Sequence, residues 1–86
     1  PVFLDQLVYA ETDGRAAILH INGTPPKALK VRMSLRSMED KLCDEGFLRI
    51  HNSYLVNMNY LSSLQTSGAT LTTGETLPLS FIITEL

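Results

Sequence analysis

The sequence predicts a mainly β domain: short antiparallel strands in small sheets, with one helix at about residues 34–45 packed on them. Three observations lead to this prediction. Apolar and polar residues alternate along most of the chain, as in half-buried strands. Turn-forming residues separate these stretches at short intervals. In one segment the period changes to that of an amphipathic helix.

The first part of the chain predicts a hairpin. The stretches "VFL" and "QLVYA" are two short strands or one bent strand. In the following "ETDGR", the pair Asp13-Gly14 is a strong signal for a hairpin turn, and "AAILHI" is the returning strand. The segment "NGTPP", Asn22 to Pro26, must be a loop, because two prolines and an Asn-Gly pair cannot lie inside a β-ladder.

The stretch "KALKVRM" predicts a third strand with two chemically different faces. Side chains alternate along a strand, so one face carries Leu29, Val31 and Met33, and the other carries Lys30 and Arg32.

A single helix follows this strand. In "SLRSMEDKLCDEG", Leu35, Met38 and Leu42 lie at helical spacing. Ser34 is a good N-cap, and Gly46 is a good C-terminal stop. We expect a helix of about three turns that covers the core and exposes an acidic face.

Strands resume after the helix. We expect strands at "FLRI", "YLVN" and "YLSSLQT", with the polar segment "HNS" separating the first strand from the second. Ser67-Gly68 and Gly74-Glu75 are turns on either side of the strand "ATLTT". Pro78, in the returning "TLPLS", belongs at a sheet edge or a bulge because proline cannot donate to a ladder. The tail "FIITEL" is a final strand or a short helical turn.

Length and composition restrict the class of protein. The chain of 86 residues, 44% of them hydrophobic, is expected to form one small globular domain, residues 1–86, cut from a longer protein. It has no apolar run near the roughly 18 residues that a membrane helix needs. The single cysteine, Cys43, cannot form an internal disulfide, which favours a cytoplasmic protein.

The charges are unevenly distributed. All seven basic residues lie within the first 49 positions, and none lies between Ile50 and Leu86. Phosphate contacts supply much of the affinity of nucleic-acid-binding proteins, so this deficit of basic residues counts against a nucleic-acid-binding function.

No catalytic or metal-binding pattern is present in the sequence. Neither His20 nor His51 has a second histidine or cysteine at metal-ligand spacing. Ser53, His51 and Asp44 could form a triad on paper, but a triad is defined by geometry and not by proximity in sequence. We expect no enzymatic activity, no cofactor, no metal and no small-molecule substrate.

Three ordered motifs around the helix carry a family resemblance. They are "LVYAETDGRAAILH" before the helix "SLRSMEDKL", and "FLRIHNSYLVN" and "LTTGETLPLS" after it. Together they closely resemble the signature of LytTR DNA-binding domains. The resemblance implies a LytTR-like mainly β fold in the output domain of a bacterial transcription regulator, often preceded by a phosphorylatable receiver domain.

The resemblance also implies a mode of DNA binding. Loops between strands, and not a recognition helix, enter successive major grooves of double-stranded DNA and bend it. Two copies bind a direct repeat in a promoter, so a homodimer on DNA is expected.

The candidate DNA-binding residues follow from matching positions in these motifs. Asn52 lies at the Arg/Asn position of "H-x-S" and suits a contact with adenine or phosphate. Ser53 is a candidate hydrogen-bond donor to a DNA phosphate. His51 either contacts DNA or points inward and braces the loop. Arg15 is the main candidate in the first loop, which also contains Asp13, Gly14 and Ala16.

One position departs from the family pattern. Ser80 matches the serine after "L-P", but the arginine that most members carry next is replaced here by Phe81. Phe81 could be buried, contact a thymine methyl or form part of a protein-protein surface. Phe81-Ile82-Ile83 and the acidic C-terminal half motivate an alternative function. It is a degenerate LytTR-like module that acts in protein-protein interaction or dimerisation without conventional DNA reading. Asn57 matches a family asparagine that we expect to be structural, satisfying a turn.

Overall fold

The computed structural model describes residues 4–79; residues 1–3 and 80–86 lie outside this description. Short 3-10 helices, Leu4–Gln6 and Met58–Tyr60, precede β1 and β6. In chain order, the strands and the helix of the described part are β1 Leu7–Asp13, β2 Ala16–Ile21, β3 Lys27–Val31, α1 Leu35–Leu42, β4 Phe47–His51, β5 Tyr54–Asn57, β6 Leu61–Gln65, β7 Gly68–Leu71 and β8 Thr76–Leu77.

The strands form two antiparallel sheets. The larger has five strands in the order β3-β2-β1-β5-β4, and the smaller has three in the order β6-β7-β8. The pairing of β1 with β5 joins the hairpin before the helix to the hairpin after it, with Tyr9 opposite Val56 and Glu11 opposite Tyr54. The five-stranded sheet therefore combines three strands that precede the helix in sequence with two strands that follow it.

A β-bulge in β1 places two consecutive residues, Val8 and Tyr9, on the same face of the sheet. Leu7 pairs with Ile21 and Tyr9 pairs with His20, so Val8 is the extra residue between them. As a result Leu7 lies in the core cluster beneath α1, whereas Val8 and Tyr9 belong to the cluster beneath the smaller sheet. The larger sheet is thus the middle layer of three.

The helix covers one face of the larger sheet. Its buried residues are Leu35, Met38 and Leu42, the same three residues whose helical spacing predicted the apolar face. The hydroxyl of Ser34 accepts a hydrogen bond from the backbone N–H of Ser37 at 3.1 Å, which confirms the predicted N-cap.

The helix ends earlier than predicted, at Leu42 and not near residue 45. Leu42 is its last core contact, and the acidic Asp44 and Glu45 would lie unfavourably at the negative end of a longer helix. The chain instead turns, with Glu45 donating its N–H to the Leu42 carbonyl, and leaves through Gly46 at a φ of 81°. Cys43 is exposed at this helix end.

The second core cluster lies between the two sheets. Its buried members are Val8, Tyr9, Ile50, Val56, Ala69, Leu71 and Leu77. Asn57 is buried beside this layer and bridges three backbone groups. Its Nδ2 donates to the carbonyls of Leu7 at 2.9 Å and Leu4 at 3.3 Å, and its Oδ1 accepts from the N–H of Asn59 at 3.0 Å. The predicted structural role of this asparagine is confirmed.

Two sequence predictions about strands were wrong in detail. Leu4 and Gln6 were placed in strands but lie in a 3-10 helix that leads into β1. Leu29 was grouped with Val31 on an apolar face, and it is 45% exposed. The reason is that α1 packs on β1, β4 and β5, which leaves the edge strand β3 largely uncovered.

Within residues 4–79, no helix has both the length and the apolar character required to span a membrane.

Candidate nucleic-acid interface

Two tight turns lie side by side at one end of the larger sheet. The first joins β1 to β2 through Gly14 and Arg15, and the second joins β4 to β5 through Asn52 and Ser53. Because β1 and β5 are antiparallel neighbours, the end of β1 meets the start of β5. The N–H of Thr12 donates to the Ser53 carbonyl at 3.0 Å, so the ladder continues to the turns themselves. We call residues 13–16 and 51–54 the paired turns.

The first of the paired turns exposes Arg15. Gly14 has a φ of 62°, and no described non-glycine residue has a positive φ, which fits a type II′ hairpin with glycine at its first central position. The two-residue turn therefore consists of Gly14 and Arg15, and Asp13 pairs with Ala16 as the last rung of the ladder. Arg15 is exposed in this turn.

A basic cleft adjoins this turn. Its volume is about 410 Å³, and it is lined by Asp13, Arg15, Ala16, Lys30 and Arg32. Strand β3 runs parallel to β1 in the sheet, so its last residues reach the same end as the paired turns.

Only part of the positive charge near the cleft is neutralised. Lys30 Nζ lies 3.1 Å from Asp13 Oδ2. Among residues 4–79, the other ion pairs are Arg49 with Glu39 and, when the histidine is protonated, His20 with Glu11. Arg15 and Arg32 therefore have no acidic partner within the described part of the chain.

The second of the paired turns is held from behind by Arg49. The Nε of Arg49 donates to the His51 carbonyl at 2.8 Å, and its Nη2 donates to the Asn52 carbonyl at 2.7 Å. Its Nη1 donates to Glu39 Oε1, on helix α1, at 2.9 Å. Asn52 itself is exposed, so the turn is fixed through its backbone while its tip remains accessible.

His51 lies at the end of β4 and turns its ring back onto the chain. Its Nδ1 accepts a hydrogen bond from the backbone N–H of Ser53 at 3.0 Å, which places the ring proton of the neutral imidazole on Nε2. The ring is 5.6 Å from that of Tyr54. These contacts support a structural role for His51, in which its ring stabilises the turn, over a direct contact with DNA.

His20 takes part in a packed row of side chains on the larger sheet. Its ring stacks on Tyr9 with centroids 4.2 Å apart, and its Nε2 lies 2.9 Å from Glu11 Oε2. Burial, and to a smaller extent the charge of Glu11, raises the pKa of Tyr9 to about 12. Tyr9 is therefore neutral at physiological pH, and this group of side chains is part of the packing between sheets.

A larger cleft, of about 520 Å³, lies at the opposite end of β2 and β3. Residues Asn22, Gly23 and Pro26 of the β2–β3 loop line it, together with Tyr60 and Thr72 of the smaller sheet's side. It is separated from the paired turns by the length of the sheet.

The structure brings six of the eight candidate residues to one end of the sheet: Asp13, Gly14, Arg15, His51, Asn52 and Ser53. Ser80 and Phe81 lie outside the described residues. Sequence reasoning missed Lys30 and Arg32, although their position on one face of the predicted strand "KALKVRM" was a usable signal. It also missed Arg49, whose place two residues before His51 gave no indication that it would hold the turn.

Comparison with known families matches residues 1–82 to the LytTr DNA-binding domain. The chain therefore belongs to the LytTR family, a family of DNA-binding domains. The predicted family membership is confirmed.

Two individual proteins extend this comparison. The chain is 32% identical over 60 residues to the sensory transduction protein LytT of Oceanobacillus iheyensis, a match that covers 70% of this chain and 24% of the relative. The chain thus spans about a quarter of that protein's length.

A solved structure from Bacillus cereus, the LytTr DNA-binding domain of a protein described as a methyl-accepting/DNA response regulator, superposes with a TM-score of 0.80. That match has 24% identity and covers 93% of this chain and 75% of the other. It confirms the predicted mainly β fold.

Proposed function

We propose that this chain binds double-stranded DNA with sequence preference through the paired turns, and that it serves as the output domain of a bacterial transcription regulator. The observation that carries this proposal is the placement of an exposed Asn52 and an exposed Arg15 on adjacent turns at one end of a sheet. Membership of the LytTR family supports the same reading.

The shape of the paired turns suits the major groove. That groove is about 12 Å wide and admits a two-stranded β-ribbon, and each of the paired turns is one hairpin wide. Asn52 presents an amide that can pair with the N6 and N7 edge of adenine. Since Arg49 already fixes the backbone of this turn, little conformational freedom remains to be lost on binding.

The basic cleft supplies phosphate contacts beside the turn that reads bases. Arg15 and Arg32 have no acidic partner among residues 4–79, so their charges are available to the DNA backbone. The cleft offsets the lack of basic residues after Arg49, because the cations of the first half converge where the second half presents Asn52. Ser53 and Ser80 are proposed as further hydrogen-bond donors to DNA phosphates, and Phe81 as a contact to a thymine methyl.

The proposed test is selection of duplexes from a random pool, followed by measurement of affinity for the selected duplex and for a scrambled duplex of equal composition. A clear preference for the selected duplex is expected, and it should decrease when Asn52→Ala is introduced. If no duplex is enriched, or if neither Asn52→Ala nor Arg15→Ala weakens binding, the proposal is wrong.

The alternative, a module for protein-protein interaction, is based on the acidic C-terminal half and on Phe81-Ile82-Ile83, which lies outside the described residues. Light scattering separates the two functions. A tight dimer that shows no DNA preference would support the alternative, whereas a protein that enriches a duplex supports DNA binding.

We extend the proposal to a longer regulator. The relative LytT is named a sensory transduction protein, and this chain matches only 24% of it. A receiver domain before this domain, and two copies bound to a direct repeat, are therefore proposed. Selected duplexes that contain two spaced copies of one motif would support binding of two copies of the domain to a direct repeat.

A further inference from the structure

We infer that Arg49 is a positioning residue for DNA reading, and that Glu39 of helix α1 is its anchor. The inference depends on the proposed function. It adds to that function a physical connection between helix α1 and the turn that presents Asn52.

The first step is that Arg49 is occupied and is not an available DNA contact. Each of its three side-chain nitrogens makes one hydrogen bond, to the carbonyls of His51 and Asn52 and to the Glu39 carboxylate. Its side chain is only 16% exposed. An arginine used in this way contributes geometry to the site, and its charge is already balanced by Glu39.

The second step is that these contacts fix the tip of the turn. The carbonyls of His51 and Asn52 are held on one guanidinium plane, and the Ser53 N–H is held by the His51 ring. The peptide groups before and after Asn52 are therefore both restrained. The direction of the Asn52 side chain depends on these peptide groups, and a bidentate contact with a base tolerates little error in direction.

The third step is that the guanidinium is itself held by the helix. Glu39 Oε1 accepts from Nη1 at 2.9 Å, and the side chain of Glu39, on α1, is 40% exposed. Loss of this carboxylate leaves the guanidinium less restrained, because only the two carbonyl contacts remain. A change at the surface of α1 would then alter base reading without touching the turn.

The test uses Arg49→Lys and Glu39→Ala, each with a matched control. Lysine keeps the charge but cannot donate from three separate nitrogens in a fixed plane. Arg36→Lys is the control for the first variant. Asp40→Ala, which removes one neighbouring negative charge from the same helix, is the control for the second.

The first readout is the ratio of the affinity for the selected duplex to that for the scrambled duplex. Arg49→Lys should lower this ratio about tenfold, the size expected for a lost base contact. Glu39→Ala should lower it about threefold, as expected when one partly exposed ion pair is lost. Affinity for the scrambled duplex should stay unchanged, because Arg15 and Arg32 still meet the phosphates.

The second readout is coupling to Asn52. In the Arg49→Lys background, Asn52→Ala should have little further effect on the ratio, since the two residues act on the same contact. Amide hydrogen exchange at residues 52–54 should accelerate in both variants and in neither control. This measurement does not depend on DNA.

The outcomes separate the inference from the proposed function. If wild-type protein enriches a duplex but both variants keep the wild-type ratio, or lose affinity for both duplexes equally, Arg49 does not position the reading turn. If Arg49→Lys does not fold, Glu39→Ala decides the question, because Glu39 lies at the surface. If wild-type protein enriches no duplex, the proposed function fails together with the role in DNA reading.

Discussion

At the residue scale, Asn52 and Asn57 show how neighbouring asparagines in one motif have different roles. Asn52 is exposed at the tip of a turn, whereas Asn57 is buried and forms hydrogen bonds with three backbone groups. Sequence reasoning separated them by family position. The structure supplies the physical difference, which is the availability of the side chain.

We expect Asn52→Ala to weaken binding to the selected duplex by about 1–3 kcal/mol, the value of one good base contact. Fluorescence anisotropy with a labelled duplex is a suitable measurement. Asn22→Ala, in the exposed loop at the other end of the sheet, is the matched control and should bind normally. Equal losses in the two variants would show that the effect is not specific to the paired turns.

We expect Asn57→Ala to lower the free energy of unfolding by about 1–3 kcal/mol, because buried backbone groups lose their partners. Urea denaturation of the free protein measures this. Asn59→Ala is the matched control, since Asn59 is exposed and contributes its backbone N–H to this network. A stable Asn57→Ala variant would mean that water replaces the amide at little cost.

At the scale of elements, the edge strand β3 and the β1–β2 turn together form the basic cleft. Each phosphate contact adds a slope of about 0.9 to the dependence of log affinity on log salt. Arg15→Gln and Arg32→Gln should each lower the slope by about 1, and the double variant by about 2. The measurement is a salt titration with the scrambled duplex.

Lys41→Gln is the control for this titration, because Lys41 is an exposed cation in the last turn of α1. It should leave the slope unchanged. If Lys41→Gln lowers the slope as much as Arg15→Gln does, the DNA backbone does not follow the basic cleft in particular.

The elements also show which features the sequence could predict. Alternation, Asp13-Gly14 and "NGTPP" located the first three strands, because these signals are local. The early end of α1 and the exposure of Leu29 could not be read from local pattern, since both depend on which strands the helix covers. Arg49 was missed for the same reason, as its partner Glu39 lies ten residues away on another element.

At the scale of the whole molecule, the middle sheet shares one core cluster with the helix and another with the smaller sheet. The pairing of β1 with β5 and the bulge at Val8 make this arrangement possible. Neither feature has a signature within a single segment. The family resemblance therefore supplied the candidate DNA-binding residues, whereas periodicity alone gave strands and one helix.

We expect Ile50→Ala to lower the free energy of unfolding by about 2–5 kcal/mol, because Ile50 is completely buried in the cluster between the sheets. Both sheets should unfold in one transition in urea, detected by circular dichroism and by tyrosine fluorescence. Leu29→Ala is the matched control, and the free energy should change by less than about 0.5 kcal/mol at this exposed position. Two separate transitions would show that the smaller sheet is an independent unit.

The exposed edge of β3 has a consequence for solubility. An uncovered edge strand offers unpaired backbone groups to which another chain can add, and lysines on such a strand oppose this association. Lys27 and Lys30 occupy the first and fourth positions of β3 and so protect this edge from aggregation, and Lys30 also lines the basic cleft. Variants that remove these lysines should lose solubility. Arg15 and Arg32 lie outside β3, so their substitution leaves that protection in place.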